Sequence, residues 1–325
     1  MTGVSTLNLL DIQDLSTYFF TRSGVIKAVD SLSLRLQKGR VLGLVGESGC
    51  GKTITALSIL NLVPAPGRIV SGRILFEGRE LLALSSEEMR SIRGARISMI
   101  FQEPMTALNP VFTIGNQIAE ILTTHRGIVK KEAIISATEL LRSVGIPSPE
   151  KRIHEYPHQL SGGMRQRVMI AMAIACKPSL ILADEPTTAL DVTIQAHILE
   201  LLSRIQAEMG MAVILVTHDL GLIAERAHDV AVMYAGRIVE QADTRELFAN
   251  PRHPYTRGLI ASIPKPNEGG RKRLRTITGS VPHLQDLPEG CKFITRCDIK
   301  TGQCKKEPDF IEVTPGHLVR CWEFK

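Results

Sequence analysis

With 325 residues, 44% of them hydrophobic and 22% charged, the chain has the composition of an ordinary globular protein, long enough for one large domain and a small appendage. No stretch reaches the roughly 18 uncharged apolar residues that a membrane-spanning helix needs, because the most apolar run, Val168 to Ala183, is broken by Lys177 and Pro178. The formal charge of +6 comes from the tail, where Lys and Arg outnumber Asp and Glu by 14 to 8 from Pro251 onward, so the balanced first 250 residues have no general pull on polyanions such as nucleic acid.

In chain order, Met1 to Leu15 lacks a basic segment followed by an apolar core and does not read as a secretion signal, which leaves the cytoplasm as the expected compartment. Residues 8–38 carry extended apolar segments with a turn around Gly24, consistent with an antiparallel sheet. Val41–Val45, Ile97–Phe101, Leu180–Ala183 and Val213–Val216 are short runs of continuous rather than alternating apolarity. That pattern predicts strands buried on both faces, as in a parallel sheet covered by helices. Between Pro104 and Leu160 the period becomes helical, as in Ile114–Leu122 and Glu132–Val144, which predicts an inserted helical subdomain over about 104–176. After Asn250 the composition shifts to Pro, Gly, basic residues and four of the six cysteines, so the expected division is a domain over 1–250 and an extension over 251–325. The basic triplet Arg271-Lys272-Arg273 in that extension reads as a solvated face or as a neighbour of lipid headgroups.

Each predicted buried strand ends in an unusual polar group: Gly46-Glu47-Ser48, Gln102, Asp184-Glu185, and Thr217-His218. In open α/β sheets ligands bind beyond the carboxyl ends of the strands, so the distinctive chemistry sits where a nucleotide site is expected. Gly46-Glu47-Ser48-Gly49-Cys50-Gly51-Lys52-Thr53 satisfies G-x-x-x-x-G-K-S/T, follows a predicted strand and opens the apolar helix Ile54–Leu62. Glycines let the backbone curl until its N–H groups converge on phosphate oxygens, and the helix dipole adds a favourable field. Lys52 is expected to reach the β and γ phosphates of ATP, and Thr53 to give its hydroxyl to Mg²⁺. Asp184 is a second Mg²⁺ candidate, and Glu185 beside it is placed to orient and polarise the attacking water.

A phosphate loop fixes the nucleotide and not the task. Leu160-Ser161-Gly162-Gly163-Met164-Arg165-Gln166-Arg167 precedes the predicted helix Met164–Ala175, and its Ser and glycines make a second anion site at a helix start. Such a site has no obvious use within the same subunit, which implies a phosphate delivered from elsewhere. The octet resembles the signature sequence of ABC-transporter ATPases, a resemblance that extends over nearly the whole chain. It implies an α/β P-loop NTPase fold with a RecA-like parallel-sheet core, a flanking antiparallel subdomain and a helical subdomain. It also implies that Ser161, Gly162, Gly163 and Gln166 meet the γ-phosphate held by an opposing subunit, so that ATP joins two cassettes head to tail. By the same resemblance Gln102 touches Mg²⁺ and relays nucleotide state, Asp191 in Ala189-Leu190-Asp191 crosses to the partner's site, and His218 contacts the γ-phosphate and holds Glu185. Phe19 is the candidate for stacking on adenine, with Tyr18 and Phe20 as alternatives.

Met105-Thr106-Ala107-Leu108-Asn109-Pro110, Glu185-Pro186-Thr187-Thr188-Ala189-Leu190-Asp191 and His253-Pro254-Tyr255-Thr256 resemble the peptide-importer branch, which also includes nickel importers. The resemblance implies two transmembrane permease subunits, an extracytoplasmic solute-binding protein acting indirectly, and a second ATPase subunit, different or identical, at the cytoplasmic face of the membrane. A soluble ABC ATPase acting on nucleic acid or ribosomes is the reading from another class; such proteins commonly carry two cassettes or a long coiled-coil insertion, and the sequence has neither pattern. Cys291, Cys297, Cys304 and Cys321 are separated by five, six and sixteen residues, whereas structural zinc usually shows a pair two to four residues apart. Clustered thiols in a reducing compartment suggest a metal site, leaving a 4Fe-4S cluster, zinc or unliganded buried thiols. The resemblance to cluster-bearing peptide-importer ATPases favours the first. Cys50 and Cys176 read as a small loop residue and a core residue.

Overall fold

The computed structural model describes residues 8–188, 191–263 and 277–324, so that Ala189, Leu190 and the Arg271-Lys272-Arg273 triplet lie outside the described residues. The chain forms two units, one made of the residues up to Leu82 and from Leu215 onward, the other of Ala83–Ile214.

The first unit begins with a long hairpin, β1 (Leu10–Thr21) and β2 (Gly24–Leu36), closed where Thr21 faces Gly24. Leu10 and Ile12 on β1 and Leu32, Leu34 and Leu36 on β2 are buried, the period-2 face that makes such a hairpin hold its register, and Leu15 is buried beyond a register shift between Ile12 and Leu15. There follow β3 (Val41–Val45), α1 (Lys52–Ile59), β4 (Gly67–Phe76) and β5 (Arg79–Glu80), and an antiparallel sheet in the order β2-β1-β4-β5. The helix expected over Ile54–Leu62 starts and stops earlier, because its first turn is the end of the phosphate loop itself. A buried hydrogen bond of 2.8 Å between Thr17 Oγ1 and Ser58 Oγ fastens α1 to β1.

The second unit contains α2 (Ser86–Ile92), β6 (Ile97–Ile100), α3 (Pro104–Ala107), α4 (Ile114–Arg126), α5 (Lys130–Ser143), α6 (Pro149–Arg152), α7 (Gly162–Ile174), β7 (Leu180–Asp184), α8 (Val192–Met209) and the start of β8 (Ala212–Thr217). β6 and β7 run parallel, from Ile97 opposite Leu180 to Ile100 opposite Ala183. Helix α7 packs on α3, α4, α5, α8 and β6, burying Val168, Ile170, Ala171 and Ile174. Chain punctuation follows the sequence. Thr113 caps α4, accepting from Asn116 N, and Gly127, at φ 63°, ends it in the left-handed conformation that glycine adopts at no steric cost.

The last part of the chain returns to the first unit as α9 (Leu220–Arg226), β9 (Asp229–Tyr234), β10 (Arg237–Asp243), α10 (Thr244–Ala249), α11 (Pro254–Ala261), β11 (Ile311–Thr314) and β12 (His317–Val319). Strand β9 lies parallel to β3, with Leu42 opposite Asp229 and Val45 opposite Val232. Sequence reading missed it although Val230–Tyr234 is a continuous apolar run of the predicted kind. Beyond it the strands continue antiparallel in the order β9-β10-β12-β11, so the C-terminal segment extends the sheet that carries the phosphate loop. Glu240 and His317 are fully buried where these strands meet, their Oε1 and Nε2 atoms 2.8 Å apart. Glu240 also accepts from the backbone N–H groups of Arg252 (2.6 Å) and His253 (2.9 Å). A buried carboxylate is tolerable only when satisfied in this way, so the same bonds fix the start of α11.

His253, 2% exposed, caps α11 by accepting from Tyr255 N at 3.1 Å. Burial, with Arg257 and Arg320 adding to it, pushes its pKa down to about 3. The folded protein therefore keeps it neutral while the unfolded chain protonates it below about 6.5. This contribution to stability is complete above that pH and is lost as pH falls towards 3, at about 1.4 kcal/mol per pH unit. His253→Asn keeps a capping acceptor and removes the titration; the difference in unfolding free energy between wild type and variant is expected to shift by about 1 to 2 kcal/mol from pH 7 to pH 5, as read by urea denaturation.

Candidate functional site

The phosphate loop of the first unit joins β3, every residue of which is buried, to α1. Gly46, Gly49 and Gly51 have φ of 156°, 79° and 107°, conformations that a side chain strongly disfavours. At Gly51 a Cβ would stand 2.1 Å from the carbonyl oxygen of Ala28, and at Gly46 one would stand 2.2 Å from that of Met233, so the loop is closed against the backbones of β2 and β9. Gly51 is the residue before α1, a helix start with no side-chain cap hydrogen bond and so of the kind that receives anions. Lys52 is 5% exposed, and its Nζ donates to the carbonyls of Gly46 (2.8 Å) and Glu47 (3.1 Å), which holds the ammonium over the loop. Cys50 is a fully buried loop residue whose thiol is pushed up by burial, and its carbonyl accepts from Gly236 N at 2.9 Å. The arrangement is a ring of backbone dipoles with one lysine, suited to a polyphosphate.

Glu47 is gripped by Tyr255, which the sequence offered only as part of a branch motif, and by Arg296, which sequence reading did not single out. Its N–H donates to Tyr255 Oη at 2.9 Å, and its carboxylate accepts both Nη1 and Nη2 of Arg296, at 2.6 and 3.1 Å. Only the tertiary fold could reveal this, since more than 200 positions separate the partners.

In the second unit Asp184 ends β7 and is 2% exposed. Glu185 follows with φ 44°, a left-handed conformation costly for a glutamate, of the kind that is retained where surrounding structure enforces it. Its Oε2 accepts from Gln102 Nε2 (3.1 Å) and from Thr188 Oγ1 (2.9 Å). Two sequence candidates are thus in contact, a carboxylate aimed by an amide. Ser161 caps α7, its Oγ accepting from Met164 N, with Gly162 and Gly163 in the first turn. A Cβ on Gly163 would lie 2.9 Å from Ile194 of α8, so a glycine there allows the two helices to close. Gln166, 2% exposed, donates to Pro186 O at 2.5 Å and ties α7 to the loop bearing Glu185. Asp191 caps α8, accepting from Ile194 N at 2.9 Å; its neighbours Ala189 and Leu190 are outside the described residues.

Elsewhere in the first unit, His218 and Asp219 are exposed directly after β8, and Asp219 caps α9 through Leu222 N. Of the three aromatics, the Tyr18 hydroxyl donates to Asp30 at 2.7 Å, Arg68 lies over the ring of Phe20 at 4.2 Å, and the half-buried ring of Phe19 lies against Gly67. Cys291, Cys297, Cys304 and Cys321 line one cavity of about 230 Å³, together with His253, Phe293 and Trp322. Burial pushes the Cys291 thiol up to about 12, and raises Cys297 and Cys321 as well. Among the described residues no three His, Cys, Asp or Glu side chains converge on a point that one metal ion would fill.

Residues 29–188 match the family described as ABC transporter, and residues 239–304 match the oligopeptide/dipeptide transporter C-terminal region. The chain is 52% identical to the probable peptide ABC transporter ATP-binding protein y4tR of Sinorhizobium fredii, over 97% of this chain and 94% of that protein. It is 50% identical to the dipeptide transport ATP-binding protein DppD of Haemophilus influenzae, over 96% of this chain and 94% of that one. Among solved structures, the dimeric ATP-binding cassette MJ0796 bound to ADP and Pi superposes with a TM-score of 0.66 at 27% identity, covering 73% of this chain and 99% of that one.

Gly51→Ala forces both a disfavoured backbone angle and a clash with the Ala28 carbonyl. The strain, of order 1–3 kcal/mol, is expected to weaken nucleotide binding by roughly tenfold or more, as measured by isothermal titration with MgATP.

Proposed function

Because the chain belongs to the ATP-binding proteins of peptide ABC transporters, we propose that it binds and hydrolyses ATP to drive import of dipeptides or oligopeptides through permease subunits in the cytoplasmic membrane. The observation that carries the reading is the phosphate loop: three left-handed glycines, an uncapped helix start and a lysine folded over the carbonyls.

Within this reading Gly46 to Thr53 cradle the phosphates, Lys52 neutralises the β and γ groups, and Thr53, Gln102 and Asp184 serve Mg²⁺. Glu185 orients and polarises the attacking water, and its fixed hydrogen bonds to Gln102 and Thr188 support that role, since phosphoryl transfer needs positioning and charge more than covalent help. His218 is assigned to the γ-phosphate and Phe19 to adenine. Ser161, Gly162, Gly163 and Asp191 are assigned to the nucleotide of a second ATPase subunit, either a different chain or an identical one, whereas Gln166, expected to join them, is buried and holds α7 to Pro186 instead. ATP that binds better to the closed pair of subunits shifts them towards closure, and hydrolysis reverses the shift. The exposed Phe101, Met105, Val111 and Phe112, from 42% to 70% accessible within twelve residues, support docking to the permease subunits. No helix among the described residues is long and apolar enough to cross a membrane. The organisation proposed is a nucleotide-binding domain over 1–250 with its helical part near 104–176, followed by the extension over 251–325.

In the same extension we propose a 4Fe-4S cluster held by Cys291, Cys297, Cys304 and Cys321. Support comes from the four thiols lining one cavity, a donor set of the kind that holds iron–sulfur clusters. When bound, the cluster would supply a structural cross-link among thiols held deprotonated by the metal.

Glu185→Gln is expected to bind MgATP as wild type does but to release phosphate roughly 100-fold more slowly or worse, and to accumulate nucleotide-bound dimers in gel filtration with its partner subunit. Turnover at the wild-type rate would remove Glu185 from its role. Cys291→Ser with Cys297→Ser is expected to abolish bound iron and sulfide in anaerobically purified protein, and retention of both would overturn the cluster. Labelled dipeptide uptake by vesicles carrying the complete transporter tests the cargo; uptake of nickel alone would reassign it.

A further inference from the structure

The three grips on Glu47 all bear on the second residue of the phosphate loop. Its carbonyl takes the Lys52 ammonium, its N–H goes to Tyr255 and its carboxylate goes to Arg296. Two of the three partners come from the C-terminal segment, and neither is free to move. Tyr255 is fully buried at the start of α11. The Arg296 side chain is 3% exposed, donates through Nε to Thr278 O at 3.1 Å and stands 5.8 Å from the rings of both Tyr234 and Phe293. Phe293 in turn meets Tyr234 edge-on at 5.2 Å, Tyr255 at 5.5 Å and His253 at 5.6 Å. An aromatic layer therefore lies behind the loop. Cys291 and Cys297 bracket the stretch that supplies Phe293 and Arg296: Cys291, Phe293 and Cys297 line the cysteine cavity, and Arg296 between them holds the loop.

Charge gives the contact a direction. A free carboxylate on the loop would oppose a triphosphate arriving there, whereas a two-point guanidinium pair neutralises it and fixes the loop backbone at its first turn. A loop fixed in advance spends less of its binding free energy on ordering.

We propose that Arg296 and Tyr255 are positioning residues for ATP: from the C-terminal segment they hold Glu47, and through it the phosphate loop, in the conformation that receives the phosphates. Neither touches the reacting atoms. Their loss lowers affinity and leaves the chemical step intact. The proposal rests on the ATPase reading, and the two fail differently. If the wild-type protein, with its partner subunits, binds no MgATP, the ATPase reading falls; if the wild type binds it and the variants below bind it equally well, only the positioning role falls.

The test is steady-state ATPase kinetics of the assembled transporter with Arg296→Ala, Arg296→Lys, Tyr255→Phe and the double variant Glu47→Gln with Arg296→Ala. Arg296→Ala is expected to raise KM for ATP about tenfold with kcat within about twofold, a difference of about 1.4 kcal/mol in binding. Arg296→Lys, which keeps the charge and loses the fork, is expected to fall between it and wild type. Removing the stranded carboxylate in the double variant is expected to recover part of the loss, which no general destabilisation would do. Amide hydrogen exchange should rise over residues 46–51 in Arg296→Ala. Tyr255→Phe deletes one hydroxyl from a packed ring, and decides the matter if Arg296→Ala does not fold: a KM raised about threefold is the expected result. A KM within twofold of wild type in every folded variant, or a loss confined to kcat, overturns the proposal.

Discussion

The conformation of the backbone from Gly46 to Lys52 is the constraint on which the nucleotide chemistry of the first unit depends. Peptide N–H groups can converge on a polyphosphate only if the chain turns through left-handed angles, and here it does so at Gly46, Gly49 and Gly51. The loop gains its fixity from what it touches. Met233 and Ala28 place their carbonyl oxygens where a Cβ of Gly46 or Gly51 would be, and Gly236 donates to the Cys50 carbonyl. Strands β2 and β9 thus act as a mould for these seven residues.

The second unit meets the same problem with side chains. Glu185 sits in a left-handed conformation without the freedom of a glycine, and its carboxylate is fixed by Gln102 and Thr188. Gln166, buried in α7, reaches the carbonyl of Pro186 in the same loop, while Gly163 lets α7 close on Ile194 of α8. The helix that begins with Ser161 and the residues after β7 are thereby one mechanical piece. A displacement of the helix start is transmitted to the carboxylate through few bonds.

The segment after Asn250 is more than an appended tail. Its strand β12 pairs with β10, Glu240 collects His317 and two backbone N–H groups in the interior, and α11 brings Tyr255 to the loop. Each of these is a polar contact inside a packed region, where an unpaired partner would cost more than the bond returns. The cysteine cavity is lined by His253 and Pro254 at the start of α11 and by Phe293, whose ring also meets Tyr234 and Tyr255.

The sequence alone determined what rests on local chemistry. Continuous apolar runs predicted β3, β6, β7 and β8, since such runs are unstable unless both faces are covered. Glycine spacing marked the phosphate loop, because no other residue adopts its angles. Ser161 and Gly163 announced the start of α7, although the helix begins two residues before the expected Met164. Gln102, Glu185 and the signature residues were legible as motifs, but their mutual contacts were not. Contacts such as Glu47 with Arg296, Glu240 with His317 and Gly163 with Ile194 join positions tens to hundreds apart, and no periodicity records them. The tertiary structure decided those pairings, because burial and hydrogen bonding select partners by distance in space, a quantity that composition and spacing along the chain do not contain.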